Sequence, residues 1–244
     1  MGKIKAISFL CISVFCVSLF TACNSGKNTL DDTDKEEEKK VYDTIAAEDI
    51  SHVNLKGNAR SIVVKQGGNK YFEFDNADLN KDHKYEVRYE KKDHTLDINI
   101  LMESSEDDDN VLGSFVIYIP QKEFEKVETT GGFGHIYFET ISSDVLVHAE
   151  KSVVVLDLEA DRLDHNITLE GSEANAFRGV SVYLDKLPDN VRMDLNMIQG
   201  GTINDQQNIL KQNRFESGTG FPVVSVNDTK DISTGTVFAY KRLE

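Results

Sequence analysis

The chain has 244 residues, with 42 acidic and 27 basic side chains, and its formal net charge at pH 7 is −15. Phosphate backbones and anionic lipid headgroups repel such an acidic chain, which argues against nucleic acid as a partner and against electrostatic adsorption to a bilayer. Tryptophan is absent, and all three cysteines lie at or before Cys23, so the rest of the chain cannot form an internal disulfide.

The first predicted element is an N-terminal export signal. Lys3 and Lys5 precede the uncharged apolar run Ala6–Ala22, an order typical of a secretory signal peptide. The run is shorter than the roughly 20 residues that span a bilayer comfortably, although a signal-anchor helix stays open. The stretch FTAC, which ends at Cys23, resembles the cleavage motif of bacterial lipoproteins, with Phe20 where leucine is usual.

We therefore predict that residues 1–22 are a lipoprotein signal peptide and that Cys23 carries the lipid. The alternative is that Cys23 is an apolar residue at the end of a membrane helix, as Cys11 and Cys16 would then be. Residues 24–40 contain one leucine among polar and charged residues, so residues 23–40 are predicted to be the lipidated cysteine and a flexible acidic tether. Cleavage removes two lysines and no acid, which leaves a net charge of −17. The expected location is the outer face of the cytoplasmic membrane.

Residues 41–244 show one dominant period. In VRMDLNMI, which starts at Val191, apolar and polar residues alternate, as they do in TLDINILM from Thr95. This alternation predicts half-buried β-strands, and almost no window supports an amphipathic helix, so we predict a single all-β domain. Further predicted strands cover residues 61–65, 85–90, 114–120, 134–139, 152–160, 179–185, 222–226 and 236–242.

Strand-and-turn units recur in the C-terminal half of the chain. They start near five residues with spacings of 19 to 26 residues: Lys126, Val145, His165, Val191 and Arg214. Such a repeat favours a solenoid-like stack of short β-rungs, in which each unit buries its apolar face against its neighbours. A β-sandwich is the alternative, because its strands also recur every 8 to 12 residues.

Residues 45–244 resemble a known family in the order of their features. These features are DISHVNLKGNARSIVVKQGG (49–68), DHTLDINI (93–100), FVIYIP (115–120), KVETTGGFGHIYFE (126–139), VVVLDLEAD (153–161) and the glycine-containing C-terminal stretch from residue 215. In this order they are similar to the putative-adhesin (toastrack) domain family of bacterial envelope lipoproteins. The resemblance implies a right-handed, β-helix-like stack and carries over no catalytic residue, and the family's biochemical role is unknown.

Motifs for cofactors and catalysis were sought among the charged and glycine-rich stretches. The loop from Asp78 begins like a calcium site but has His83 and Tyr89 where glycine and glutamate are required. The acidic run 103–110 is interpreted as a solvated hairpin loop, with a weak cation site as the alternative. The glycines of TTGGFGH (129–135) predict a tight turn. We expect no metal, cofactor or catalytic residue, and the histidines are interpreted as scattered surface residues: His52, His83, His94, His135, His148 and His165.

Two non-enzymatic functions remain open from the sequence. One is an adhesin-like binding module, displayed outside the cytoplasmic membrane and contacting an unknown protein or cell-surface polymer. The alternative is a membrane-proximal regulatory or scaffolding lipoprotein that docks on an integral envelope protein. A carbohydrate-active enzyme is disfavoured, because five or so rungs offer little groove and the chain has no tryptophan platform. In either open case the chain reaches the membrane through the lipid on Cys23.

Overall fold

The computed structural model describes residues 45–75, 84–103, 114–148, 151–171, 177–197, 203–205, 207–228 and 235–239. These ranges consist of strands and turns, and the helical part of them is a single 3₁₀ turn, Ala160–Arg162. The prediction of an all-β domain is therefore confirmed. Within the same ranges, no helix is long and apolar enough to cross a bilayer. The N-terminal signal and the tether of residues 23–40, with Cys23, lie outside the described residues.

The described ranges contain eighteen strands. In chain order they are β1 (Ile45–Ala46), β2 (His52–Gly57), β3 (Ser61–Gln66), β4 (Tyr71–Asp75), β5 (Lys84–Lys92), β6 (Thr95–Glu103), β7 (Phe115–Ile119), β8 (Phe124–Gly131), β9 (His135–Glu139), β10 (Ser143–His148), β11 (Val153–Leu158), β12 (Ile167–Glu170), β13 (Gly179–Leu184), β14 (Val191–Met197), β15 (Ile203–Asp205), β16 (Arg214–Ser217), β17 (Val223–Asp228) and β18 (Gly235–Ala239).

The strands form two mixed sheets. Sheet I has the order β16-β14-β17-β12-β10-β8-β2-β6-β5, and sheet II has the order β1-β4-β7-β3-β9-β11-β13-β18-β15. Seven times, a strand of sheet I is followed in the chain by a strand of sheet II, and we call each such couple a strand pair: β2–β3, β6–β7, β8–β9, β10–β11, β12–β13, β14–β15 and β17–β18. Strand pairs next to each other are parallel in both sheets.

The strands form where the sequence alternates, because one side of each strand is buried. In β7 the side chains of Phe115, Ile117 and Ile119 are fully buried, whereas the residues between them are partly exposed. The same alternation in β10 and β11 buries every second side chain. Buried residues from both sheets belong to one hydrophobic cluster, so the sheets face each other across a shared core. Each fully buried large side chain contributes about 1.5–3 kcal/mol.

The order of the strand pairs in space differs from their order in the chain at both ends. Spatially the pairs follow the order β6–β7, β2–β3, β8–β9, β10–β11, β12–β13, β17–β18 and β14–β15. The predicted units near Lys126, Val145, His165 and Val191 mark β8, β10, β12 and β14 of sheet I. The unit predicted near Arg214 contains two strands, β16, which begins at Arg214 and is antiparallel to β14, and β17, which is parallel to it. The last parallel strand of sheet I is β17, which begins at Val223.

Antiparallel strands lie at the ends of the sheets. In sheet I, β5 pairs with β6 along its whole length, and β16 pairs with β14 at the other end. In sheet II, β4 pairs with β7 and β1 pairs with β4. Parallel pairing therefore makes up the middle of each sheet, and the antiparallel strands extend it.

The predicted turn in TTGGFGH is present between β8 and β9. Gly131 has a φ of 128°, and a Cβ atom there would lie 2.3 Å from the carbonyl oxygen of Gly57. Gly57 has a φ of 146°, and its own Cβ would lie 1.9 Å from the carbonyl oxygen of Ile100. The backbones of neighbouring strands therefore approach each other so closely, at the points where they leave sheet I, that only glycine fits there.

Candidate functional site: an acidic cleft between three turns

A cleft of about 450 Å³ lies between three turns. The first turn, 159–166, joins β11 to β12, the second, 185–190, joins β13 to β14, and the third, 218–222, joins β16 to β17. Its volume is within the range of small-ligand sites, about 300–1,000 Å³. The residues that line it are Ala160, Asp161, Leu163, Asp164, Asp189, Asn190, Thr219, Phe221 and Pro222.

Side-chain hydrogen bonds hold the three turns together. The carboxylate of Asp185 accepts hydrogen bonds from the backbone amides of Ala160, at 2.7 Å, and Lys186, at 2.9 Å, which joins the first turn to the second. The second turn is joined to the third where the amide oxygen of Asn190 accepts from the backbone N–H of Thr219 at 3.1 Å. The walls of the cleft are therefore fixed to one another by polar contacts.

Gly218 allows the third turn to pass close to the second. Its φ is 55°, and a Cβ atom there would lie 2.1 Å from Oδ1 of Asn190 and 2.4 Å from the carbonyl oxygen of Asp189. No side chain fits in that space, so this wall of the cleft requires glycine at position 218. Nearby, the hydroxyl of Ser217 donates to the carbonyl oxygen of Pro188 at 2.8 Å.

Three carboxylates give the cleft its charge. Asp161 pairs with Lys186 at 2.6 Å, and this hydrogen bond raises the pKa of Lys186, with Asp185 and Asp189 adding to the effect at longer range. Asp164 contacts a histidine rather than a permanent cation, as described below. The cleft is therefore an acidic environment that one lysine neutralises only in part.

His165 contacts Asp164, which lines the cleft. Its Nδ1 lies 2.6 Å from a carboxylate oxygen of Asp164, and its Nε2 lies 3.5 Å from Glu123. Burial acts to lower the pKa of His165, but the hydrogen bonds and attraction from Asp164 and Glu123 outweigh it, so the pKa lies above the ordinary 6.5. The charged form of His165 is therefore favoured beside Asp164.

An exposed aromatic ring completes the cleft. The side chain of Phe221 is 54 % exposed, although most phenylalanines of the described residues are buried in the core. Leu163 is buried and, with Pro222, supplies the apolar part of the lining. A ring beside carboxylates suits a ligand that carries both a positive charge and an apolar or sugar-like face, because cations are attracted to both groups.

The two charged stretches considered as cation sites lie largely outside the described residues. Residues 78–83 and most of the acidic run 103–110 lie outside the described residues, so the cation-site alternative stays open. Among the histidines, His83 is also outside. In the described ranges no cluster of three or more histidine, cysteine, aspartate or glutamate side chains could hold a metal ion. The expected absence of a metal remains a prediction.

A cluster of charged side chains around one histidine, His148, lies on the outer face of sheet I and was not predicted from the sequence. Nε2 of His148 lies 3.2 Å from Glu128, and its Nδ1 lies 3.6 Å from Glu170. Burial acts to raise the pKa of Glu128, but Lys126 and His148 outweigh it, so the pKa lies below the ordinary 4.5. The spacing of about 20 residues between strand pairs brings these side chains together, and this spacing was the available signal.

Three tyrosines lie on the outer face of sheet II rather than in the core. Alternation places Tyr118, Tyr137 and Tyr183 on the outer face of sheet II, where each is partly or largely exposed. The ring of Tyr137 stacks with His135 at 6.3 Å between centroids, and the ammonium of Lys65 lies 5.1 Å from the ring of Tyr118. These rings already have partners in the sheet, whereas Phe221 faces the cleft.

Comparison with known proteins gave one distant structural likeness. No family model matches the chain, and a search of characterised proteins found no match. A crystal structure of a putative cell adhesion protein from Clostridium sporogenes is similar to this chain with a TM-score of 0.45 and 14 % identity. The likeness covers 81 % of this chain and 97 % of that one.

Proposed function

We propose that this chain is an envelope lipoprotein whose β-domain is an adhesin-like, non-catalytic binding module. The acidic cleft with the exposed ring of Phe221 is the observation that supports it. Its carboxylates suit ammonium groups, its ring suits the face of a sugar or an alkyl chain, and Asn190 and Thr219 offer polar groups to hydroxyls. The proposed ligand is therefore an amine-bearing polymer or protein segment at the cell surface.

The proposed attachment is the lipid on Cys23, followed by the tether that ends at residue 40. A flexible tether of this length spans on the order of 20–25 Å, which is enough to clear the lipid headgroups. The net charge of −15 supports a covalent anchor, because the chain itself is repelled by an anionic surface. We place the domain on the outer face of the cytoplasmic membrane.

The proposed architecture is a solenoid-like stack of the seven strand pairs. Its support is the parallel register between strand pairs in both sheets, for example Val154 beside Val180 in sheet II and Leu146 beside Thr168 in sheet I. The exchanged order at each end departs from a simple coil, and the face-to-face sheets also suit the β-sandwich alternative. The right-handedness proposed for the stack rests on the family resemblance alone.

Isothermal titration calorimetry with a cationic oligosaccharide tests the proposed function. The probe is the glucosamine tetramer, and its fully N-acetylated form is the neutral counterpart. We expect the cationic tetramer to bind and the Asp189→Asn/Phe221→Ala variant to bind it at least about fivefold more weakly, because a charge and an aromatic face are both lost.

The matched control removes one carboxylate and one exposed ring elsewhere. Glu48→Gln/Tyr71→Ala changes the net charge by the same amount at residues outside the cleft, and it should bind like the wild type. Equal weakening by both variants, or equal binding of the N-acetylated tetramer, would contradict the cleft as the site.

The alternative function is docking on an integral envelope protein. Photo-crosslinking from position 187, whose leucine is 44 % exposed in the second turn, distinguishes the two in intact cells. Capture of a cell-surface polymer supports the binding module, whereas capture of one integral membrane protein supports the regulatory alternative. That binding leads to no chemical reaction remains part of the proposal.

A further inference from the structure

Strand β5 is the last strand of sheet I at one end of the described residues. It pairs with β6 from Lys84 to Lys92, over nine residues, and its other edge has no strand beside it in the described part of the chain. A long edge strand presents backbone N–H and C=O groups to which another strand can be added.

The outward side chains of β5 alternate in charge. The register with β6 places Glu86, Arg88, Glu90 and Lys92 opposite Leu101, Asn99, Asp97 and Thr95, away from the core. Glu86 and Arg88 are joined by two hydrogen bonds, at 2.8 and 2.9 Å. Along this face the signs run minus, plus, minus, plus, so a copy of the strand in the correct register opposes unlike charges throughout.

The inward side chains of β5 are left partly uncovered. Val87 lies beside Ile100 and packs against the core, and Tyr89 lies beside the fully buried Ile98. The side chain of Tyr89 is nevertheless 48 % exposed, because no further strand covers it in the described residues. A ring on the core side of the sheet thus has one face open at this end.

We propose that β5 pairs antiparallel with β5 of a second copy of this chain, about a two-fold axis at Tyr89. An axis perpendicular to the sheet keeps inward residues inward, so Tyr89 lies beside Tyr89 of the partner subunit. On the outward face, Arg88 lies opposite the partner's Glu90, and Glu86 lies opposite the partner's Lys92. Symmetry makes each of these pairs occur twice.

The charges exclude the registers whose axis lies at an outward residue. An axis at an outward residue, such as Arg88, opposes like charges at each outward position from 86 to 90 and is unfavourable. An axis at Val87 also opposes unlike charges and places Tyr89 beside the partner's Tyr85, so the trapping experiment below is what separates it from the axis at Tyr89. Pairing about Tyr89 covers the open ring with an identical ring and joins the two sheets into one continuous sheet.

Disulfide trapping in the full-length chain tests this register. In a background with Cys11, Cys16 and Cys23 replaced by alanine, the Tyr89→Cys variant should form a disulfide-linked dimer at least about tenfold faster than Tyr137→Cys, an exposed position on sheet II that reports random collision. Val87→Cys should react slowly, because position 87 lies opposite the partner's Lys91 in this register, four residues from its own copy.

A charge exchange provides the decisive control. Adding Arg88→Glu to the Tyr89→Cys chain should slow trapping by about tenfold, because two attractive pairs become repulsive. Adding Glu90→Arg as well should restore it, since the unlike pairs return in this register and in no other. Circular dichroism checks that each variant folds. Trapping at position 89 no faster than at position 137, or no recovery in the folded double variant, would overturn the proposal.

Discussion

At the residue scale, Gly131 and its neighbour Gly132 offer a matched test of the turn between the sheets. Gly131 needs a positive φ and lies against the backbone of Gly57, whereas a Cβ at Gly132 would meet nothing within 4 Å. We expect Gly131→Ala to lower the free energy of unfolding by about 1–3 kcal/mol or more. Gly132→Ala should change it by less than about 1 kcal/mol. Urea unfolding measures both, and equal effects would contradict the close approach.

The raised pKa of His165 should make the free energy of unfolding decrease as the pH rises. Because its pKa is raised in the folded chain, its ion pairs stabilise the fold fully below the ordinary pKa of 6.5, and this stabilisation is lost as the pH rises through the higher folded value. The free energy of unfolding of the wild type should therefore fall from about pH 6.5 upward by more than that of His165→Asn. Parallel curves for the two proteins would show that His165 does not contribute.

At the element scale, Lys122 fixes the segment that leads from β1 into β2. Its ammonium donates to the carbonyl oxygens of Ala47, Glu48 and Ile50 at 2.9, 3.2 and 2.5 Å. Lys122→Met keeps the length of the side chain and removes all three bonds, so we expect a loss of about 2 kcal/mol. Hydrogen exchange should accelerate first at the amide of Ile50, which bonds to Ala47.

A second lysine variant is the matched control for Lys122→Met. Lys126→Met removes a partly exposed lysine that pairs with Glu128 on the outer face of sheet I, and it should cost less than about 1 kcal/mol. A loss as large as that of Lys122→Met would show that charge, rather than the three carbonyl contacts, is responsible.

The sequence pattern predicts where strands lie in the chain, but it does not predict which strands are neighbours in a sheet. Alternation predicts β6, β7, β11 and β14, because one face of each is buried in the shared core. Local pattern contains no information on the insertion of β17 between β12 and β14, since that order depends on contacts between distant residues. The short β1 and the antiparallel β16 were missed as separate strands for the same reason.

The cleft could not be predicted from the local sequence pattern either. Its three turns lie far apart in the chain and meet only because strand pairs stack. The glycines of SGTG and the exposed Phe221 were visible as a turn, but their position beside Asp161 and Asp189 depends on the fold. The histidine cluster around His148 is different, because the repeat spacing already places its members on adjacent strands.

At the scale of the whole molecule, the state of the N-terminus tests the proposed anchor. The intact mass of the protein purified from bacterial membranes should correspond to a chain that begins at Cys23 and carries lipid. The Cys23→Ala chain should remain uncut, because the acceptor of the lipid is missing, and Cys16→Ala should be processed normally. A wild-type chain that retains Met1 or Lys3 would instead support a signal-anchor helix.

A map of ligand contacts on the folded domain would show whether the cleft is the binding site. Two-dimensional NMR of the ¹⁵N-labelled, full-length Cys23→Ala chain would be recorded during titration with the glucosamine tetramer. If the ligand binds in the cleft, we expect saturable shifts of the amides in the three turns, at 160–164, 189–190 and 219–221, with little change at Tyr137 or Tyr89. Shifts concentrated on the outer face of sheet II, or none with the cationic probe, would contradict it.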